Sequence, residues 1–142
     1  KNYEQHSSFR DNWDPSVAHS ARLFNSLHHA SVCVTTISTI TLDATACGTP
    51  VININFDVKK RMNPYRSVRR FYLTDYIKAM TESGATWLVK SEEEFIDALK
   101  QVLYRGEKKG EGAERLIREV MLTNDGQAAE RIALTLARLA QL

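Results

Sequence analysis

The sequence has few of the residues that mark an unusual class of protein. Its 142 residues include two cysteines, three prolines and six glycines, which argues against a disulfide-rich, collagen-like or low-complexity chain. No uninterrupted apolar run approaches the roughly 18 residues that a membrane-spanning helix needs. The net charge of +2 is too small to indicate nucleic acid or a membrane as a partner by charge alone. These absences leave a globular chain of ordinary composition.

The two cysteines, Cys33 and Cys47, stand among small or apolar neighbours, and no second pair accompanies them. We therefore expect neither a metal site nor a disulfide, and a reduced, cytoplasmic setting fits them best. The chain starts at Lys1 rather than Met, and no apolar signal segment follows. From this start we expect the chain to be a piece of a longer protein. Residues 1–13 show no period, which predicts an irregular segment.

Apolar periodicity predicts alternating helices and strands over the rest of the chain. Asp14-Pro15, followed by apolar residues at helical spacing, indicates a helix over 15–29. A capping box at Ser91 and Glu94 indicates a helix that ends at Gly106. Further helices are predicted over 37–47 and 74–83, around 116–121, and from 128 onward. Strands are predicted over 31–36, 51–55 and 85–90.

Strands that alternate with helices predict an α/β class, because parallel neighbours need a crossover that is usually a helix. We therefore expect a parallel sheet in a three-layer unit. The last two helices are expected to pack over the edge of this sheet. The final helix would use one apolar side, formed by Ala128, Ile132, Leu136 and Leu139.

A cluster of hydroxyl side chains follows the first predicted strand. Thr36, Ser38 and Thr39 stand near the start of the next helix, where unpaired N–H groups and the positive end of the dipole favour a phosphate. In open α/β sheets, ligands bind at the carboxyl ends of the strands. About one turn further, Asp43 is placed to accept both hydroxyls of a ribose. Serine and threonine are also ordinary N-caps, so a plain helix start stays open.

Six basic residues collect between positions 59 and 70, and no acidic residue lies between Asp57 and Asp75. This run fits a phosphate clamp, a lipid-facing patch or a solvated surface loop. Aromatic residues interleave with it, but the small net charge argues against a nucleic-acid partner. The candidates for the clamp are Arg66, Arg69 and Arg70.

Three stretches carry a resemblance to a known family: 42–52, 84–94 and 125–132. The segment LDATACGTPVI at 42–52 resembles the Leu-Glu-Ala-x-Ala-x-Gly-x-Pro-Val-Ile stretch of GT-B glycosyltransferases, with Asp43 in the place of the acid. With Ser38-Thr39 before it, the segment is more similar to the CDP-glycerol glycerophosphotransferase-like group of bacterial surface-polymer transferases. The segment DGQAAERI at 125–132 resembles the opening of that group's last helix. The resemblance runs from about Trp13 to the C-terminus.

The resemblance implies that residues 1–142 are the C-terminal, donor-binding half of a two-domain GT-B transferase, with a Rossmann-like parallel sheet flanked by helices. The donor would be a nucleotide-activated sugar or CDP-glycerol, used as a substrate, and no cofactor is expected. Its diphosphate would lie at the helix start after strand 31–36, with Asp43 on the ribose. The acceptor-binding half would be missing, so we expect this chain by itself to be inactive.

The resemblance assigns no catalytic residue. Retaining enzymes carry a glutamate eight positions before the ribose acid, where this sequence has Thr35, so the stereochemical course stays open. A cytoplasmic protein is implied, and contact with the inner face of the membrane and self-association stay open. A function of another class also remains: a non-catalytic α/β module that binds an anionic ligand or partner through the basic loop 59–70.

Overall fold

Helices and strands alternate along the chain in the computed structural model, which describes residues 16–59 and 63–140. The helices are α1 (Val17–His28), α2 (Ile40–Ala46), α3 (Asp75–Glu82), α4 (Glu92–Arg105), α5 (Gly110–Leu116) and α6 (Ala128–Leu139). The strands are β1 (Cys33–Thr35), β2 (Val51–Ile54) and β3 (Trp87–Val89). Two 3-10 helices, Pro64–Arg66 and Val68–Leu73, follow β2, and a π-helical turn, Ile117–Met121, extends α5.

The three strands form one parallel sheet in the order β1-β2-β3. Val34 pairs with Ile52 across the first ladder, and Asn53 pairs with Leu88 across the second. Helices connect both pairs of strands, as parallel pairing requires. The predicted α/β class and parallel sheet are therefore confirmed, and the domain is Rossmann-like.

Alternate residues of β2 point to opposite layers, because successive side chains of a strand face opposite sides of the sheet. Val51 packs in a buried cluster with Leu27 of α1 and Ala44 of α2. Ile52 is buried on the opposite face, in a cluster to which α4 contributes Ala98 and Val102. The sheet thus lies between α1 and α2 on one side and α4 on the other, which confirms the three-layer arrangement.

Local signals set both ends of α4 and the start of α1. Ser91 accepts a hydrogen bond from Glu94 N–H at 3.2 Å, and the Glu94 carboxylate accepts one from Lys90 N–H at 2.7 Å, which confirms the predicted cap. Gly106 ends α4 with a φ of +65°, as a glycine just past a helix commonly does. The N-cap of α1 is Ser16. The predicted cap at 14–15 lies outside the described residues.

The structure departs from the predicted elements in two segments. The basic run was expected to be a loop without secondary structure, but it contains both 3-10 helices, capped by the side chains of Asn63 and Ser67. Helix α5 begins at Gly110, within residues 107–112, whose glycines and charges predict a connecting loop. Gly112 of this helix is buried against the backbone before β3. This tertiary contact outweighs the low helix propensity of glycine.

The prediction that both of the last helices pack over the sheet edge is wrong. Helix α5 packs against α2 and buries Leu116 completely, but α6 has no buried residue. Ile132 on the predicted apolar side of α6 is 61% exposed. The amphipathic pattern predicted the helix correctly, but it could not show which surface would cover it. Among the described residues, no helix is both long and apolar enough to cross a membrane.

Candidate functional site

One tyrosine hydroxyl joins the carboxyl ends of β1 and β2. Tyr72, in the second 3-10 helix, accepts a hydrogen bond from Ile37 N–H at 3.2 Å and donates one to Ile54 C=O at 2.8 Å. Ile37 lies in the loop 36–39 after β1, and Ile54 is the last residue of β2. Burial raises the pKa of Tyr72 to about 12, so the hydroxyl keeps its proton at neutral pH. Residues 63–73, which we call the basic segment, are thereby held against both strand ends.

Replacing Tyr72 by phenylalanine is expected to loosen this junction. The variant leaves the Ile37 N–H and the Ile54 C=O without their partner, which should cost about 1 to 3 kcal/mol in the free energy of unfolding. Urea denaturation measures the loss. Tyr76→Phe is the matched control, because Tyr76 is exposed and half of its surface already meets solvent. Equal stability of the two variants would contradict a structural role for the hydroxyl.

A carboxylate holds the start of the second 3-10 helix. Asp57 accepts one hydrogen bond from the Ser67 hydroxyl at 2.6 Å and another from Val68 N–H at 3.0 Å. Ser67 Oγ in turn accepts a hydrogen bond from Arg69 N–H at 3.2 Å. The bonds from Ser67 and then Val68 lower the pKa of Asp57. The side chain is therefore ionised at neutral pH, and it sets the backbone position of Arg69.

Acid is expected to release this segment. Folding lowers the pKa of Asp57, so its contribution to stability is complete above the ordinary value near 3.9 and is lost as the pH falls through the lowered value. The amide NMR signal of Val68 should therefore shift below about pH 4. In the Asp57→Ala variant, the Val68 amide signal should lie at its low-pH position already at neutral pH. Asp97→Asn, which removes only an exposed ion pair with Lys100, should leave the signal in place.

An open cavity lies where the basic segment meets the end of β2. Its volume is about 800 Å³, which falls in the range of small-molecule sites. The described lining contains three cations and one carboxylate, and that carboxylate is already hydrogen-bonded by Ser67 and Val68. The three cations outnumber the carboxylate, so the described lining carries a positive net charge, which suits an anion. The lining residues are Asp57, Lys59, Pro64, Ser67, Arg69, Arg70 and Leu73.

The structure separates the three arginines that the sequence grouped. Arg69 lines the cavity, and no described group forms a hydrogen bond with its guanidinium. Arg70 also lines it, but its guanidinium donates to Tyr65 C=O and lies 4.6 Å from the centre of the Phe71 ring. Arg66 is exposed and is not among the described residues of the lining. Arg69 is thus the arginine best placed to meet a ligand.

The hydroxyl cluster lies at the start of α2, as predicted. Thr36, Ser38 and Thr39 are exposed, and Thr39 is the N-cap residue although its side chain makes no capping bond. Ser38 Oγ accepts only a long hydrogen bond, 3.4 Å from Ile40 N–H. No described group accepts the N–H of Ser38 or Thr39. Since α2 has only seven residues, these hydroxyls and N–H groups matter more for an anion than the helix dipole does.

Asp43 lies one turn above this cluster. Its N–H donates to Thr39 C=O at 3.3 Å, so residues 39 and 43 share one side of α2. The side chain is exposed, and no described group forms a hydrogen bond or ion pair with it. Partial desolvation by the neighbouring residues nevertheless raises the pKa of Asp43. A contact with a ribose remains a prediction.

Three polar residues of this region escaped the sequence analysis. Tyr72 and Asp57 act through partners that are distant in sequence, so no local pattern marks them. Asn55 follows β2 directly, and its side-chain oxygen Oδ1 is buried without a hydrogen bond from any described donor. The sequence signal for Asn55 was its place just after a buried strand, where ligands of α/β sheets bind.

Comparison with known proteins gives a family match. The family model described as CDP-Glycerol:Poly(glycerophosphate) glycerophosphotransferase matches residues 8–138. No curated protein and no solved structure matches the chain. The matched range includes the loop 36–39, Asp43 and every described residue of the cavity.

Proposed function

Because the chain belongs to the CDP-glycerol:poly(glycerophosphate) glycerophosphotransferase family, we propose that it binds the nucleotide-activated donor of a GT-B transferase that builds a bacterial surface polymer. The family makes it a transferase domain. The donor class that the family name gives, CDP-glycerol, is the first candidate for this chain. A nucleotide-activated sugar is the second.

One observation carries the proposal: the Tyr72 hydroxyl holds the segment 63–73, which contributes most of the described cavity lining, against the loop 36–39 and the end of β2. The cavity supplies the cations of Lys59 and Arg69. The loop supplies exposed hydroxyls and the N–H groups of Ser38 and Thr39, which no described group accepts. Such a combination suits a diphosphate, because charge-assisted hydrogen bonds from cations and from N–H groups are the strong ones.

The roles then follow from position. The hydroxyls of Thr36, Ser38 and Thr39 would hold one phosphate, and Arg69 would meet the other across the loop. Asp43, one turn above Thr39, would accept the ribose hydroxyls. Hydrogen-bond donors that are already in place as negative charge grows on the leaving diphosphate would stabilise the transition state. The general base is not assigned to any residue of this chain.

Nucleotide-dependent stabilisation tests the proposal. In a thermal-shift panel of CDP-glycerol, CDP, UDP, GDP and ADP, the two cytidine compounds should raise the melting temperature most. A ligand at 100 times its dissociation constant adds about 2.7 kcal/mol of stability. A response to heparin or oligonucleotides that salt abolishes, without any response to nucleotides, would instead favour the non-catalytic anion-binding module.

Replacing Ser38 and Thr39 together by alanine should weaken CDP-glycerol binding by about 1 to 3 kcal/mol, the scale of hydrogen bonds to charged groups. Asp43→Asn should weaken it by about 1.5 kcal/mol, because the amide accepts less strongly than the carboxylate. Isothermal titration calorimetry measures both. Thr74→Ala is the control, since Thr74 is exposed and makes no capping bond at the start of α3. Unchanged affinity in the first two variants would show that Ser38 and Thr39 do not bind the phosphate and that Asp43 does not bind the ribose.

A further inference from the structure

A single carboxylate stands among the cations of the described cavity lining. Asp57 follows the last residue of β2, Ile54, by three positions, and its side chain is partly exposed. A carboxylate weakens a site for phosphate alone, because like charges repel. Either Asp57 serves only to hold the basic segment, or it also meets a part of the ligand that is not a phosphate.

Holding the basic segment leaves part of this carboxylate available. Asp57 Oδ2 accepts a hydrogen bond from the Ser67 hydroxyl at 2.6 Å, and Oδ1 accepts one from Val68 N–H at 3.0 Å. The two oxygens of an ionised carboxylate offer about four acceptor positions. No other described group donates to Asp57, so acceptor capacity remains on a side chain that lines the cavity.

The course of the chain places Asp57 toward the side of the sheet that carries α2. Ile54 and Phe56 pack against the buried cluster on the α4 side. Asn53 lies on the opposite face, where its side chain forms a hydrogen bond with α2. Side chains alternate along an extended chain, so Asp57 continues the Asn53 side beyond the end of β2. The loop 36–39, from which α2 begins, lies toward this same side.

A neutral hydrogen-bond donor suits this carboxylate better than a metal ion does. Lys59, Arg69 and Arg70 share the described lining, and their charges oppose a further cation. Among the described residues, no group of three or more histidine, cysteine or acidic side chains is placed to hold a metal. A hydroxyl group meets neither the repulsion that excludes a phosphate nor the one that opposes a cation.

Asp43 and Asp57 reach the site from different elements. The proposed function assigns the ribose to Asp43 on α2 and the diphosphate to the loop 36–39 and Arg69, which leaves Asp57 beside the group on the distal phosphate. Resting on that proposed function, we infer that Asp57 accepts hydrogen bonds from hydroxyls of this transferred group. Asp57 is then a specificity-determining residue, which selects a donor whose transferred group is a polyol.

Calorimetric titration of the 142-residue chain with three cytidine ligands tests this inference. CDP-glycerol carries hydroxyls on its terminal group, the ethyl ester of CDP carries none there, and CDP lacks a terminal group. The wild-type chain should bind CDP-glycerol about ten-fold or more tighter than the ethyl ester, the scale of hydrogen bonds to a charged group. Asp57→Asn should reduce this preference about five-fold, because an amide oxygen accepts less strongly than a carboxylate.

Ser67→Ala is the matched control. It removes the same 2.6 Å hydrogen bond from the other side and keeps the carboxylate. If Asp57 acts only by holding the basic segment, Ser67→Ala and Asp57→Asn should both weaken the three ligands alike. If Asp57 binds the terminal hydroxyls, Ser67→Ala should keep the preference for CDP-glycerol over the ethyl ester even where its overall affinity falls.

The outcomes separate this inference from the proposed function. Equal affinity of the wild-type chain for CDP-glycerol and the ethyl ester would overturn the inference and leave the nucleotide site standing, and this comparison needs no variant. A preference that survives in Asp57→Asn would assign the hydroxyls to another residue and would also overturn it. If none of the three ligands bound, the proposed function would fail, and the inference with it. Circular dichroism verifies that both variants fold.

Discussion

Gly112→Ala is expected to destabilise the domain by about 3 kcal/mol or more. A Cβ atom at this position would lie 2.2 Å from both the carbonyl carbon and the oxygen of Gly84, and 2.5 Å from Ala85 N. These neighbours are backbone atoms, so no side chain can rotate away to make room. Helix α5 would have to shift from the segment before β3, which disturbs the buried cluster of Met80, Ala85 and Leu116.

The chain provides a matched control on the same helix. Gly110 begins α5, and a Cβ added there would meet no atom within 4 Å. Gly110→Ala should therefore leave the stability unchanged or raise it by up to about 1 kcal/mol, since alanine favours the helix. Urea unfolding of both variants measures the difference. Similar stabilities would show that α5 can move away from Gly84 at little cost.

The second large effect is expected at Asn53, in the central strand. Its Oδ1 accepts a hydrogen bond from the Thr41 hydroxyl at 3.1 Å, and its Nδ2 donates one to Thr86 Oγ1 at 3.0 Å. All three residues are buried. This network ties α2 to β2 and to the segment before β3. Because α2 carries Asp43 and follows the hydroxyl loop, the network also sets the position of the candidate site.

Asn53→Leu should lower the free energy of unfolding by about 2 to 4 kcal/mol, because it leaves two buried hydroxyls without partners. The triple variant Thr41→Val, Asn53→Leu, Thr86→Val should recover much of this loss, since replacing all partners by apolar groups of similar shape is nearly neutral. Denaturant unfolding of the single and triple variants gives the comparison. A triple variant that loses as much as the sum of its single substitutions would show that packing, rather than hydrogen bonding, holds this part of the core.

Much of the fold was predictable because its signals are local. Gly48-Thr49-Pro50 marks the end of a helix and the start of a buried strand within a few residues. Ser91 and Gly106 mark both ends of α4 in the same way. Parallel pairing followed from the alternation of strands and helices. The resemblance to the glycerophosphotransferase-like group rested on contiguous motifs, and the family match confirms it.

The candidate site was predictable only in part. Residues 36–39 were recognisable because their hydroxyls cluster between a strand and a helix. The arginines were recognisable as a run, but their different roles were not. The Arg70 guanidinium is engaged by a carbonyl and a ring on its own segment, whereas no described group forms a hydrogen bond with the Arg69 guanidinium. Sequence spacing does not reveal which guanidinium finds a partner, because that depends on the path of the backbone between them.

By itself, the sequence determined the α/β class, the parallel direction of the strands and the family, since these depend on periodicity, caps and short motifs within contiguous segments. Only the tertiary structure decided which surfaces meet. The Tyr72 hydroxyl reaches Ile37 across 35 positions of the chain, and Gly112 rests on Gly84 because neither carries a side chain. Contacts of this kind join segments that are far apart in sequence, and the packing of the whole core sets how closely those segments approach. No local pattern therefore encodes them. The same reason leaves α6 uncovered by the described residues although its apolar face is plain in the sequence.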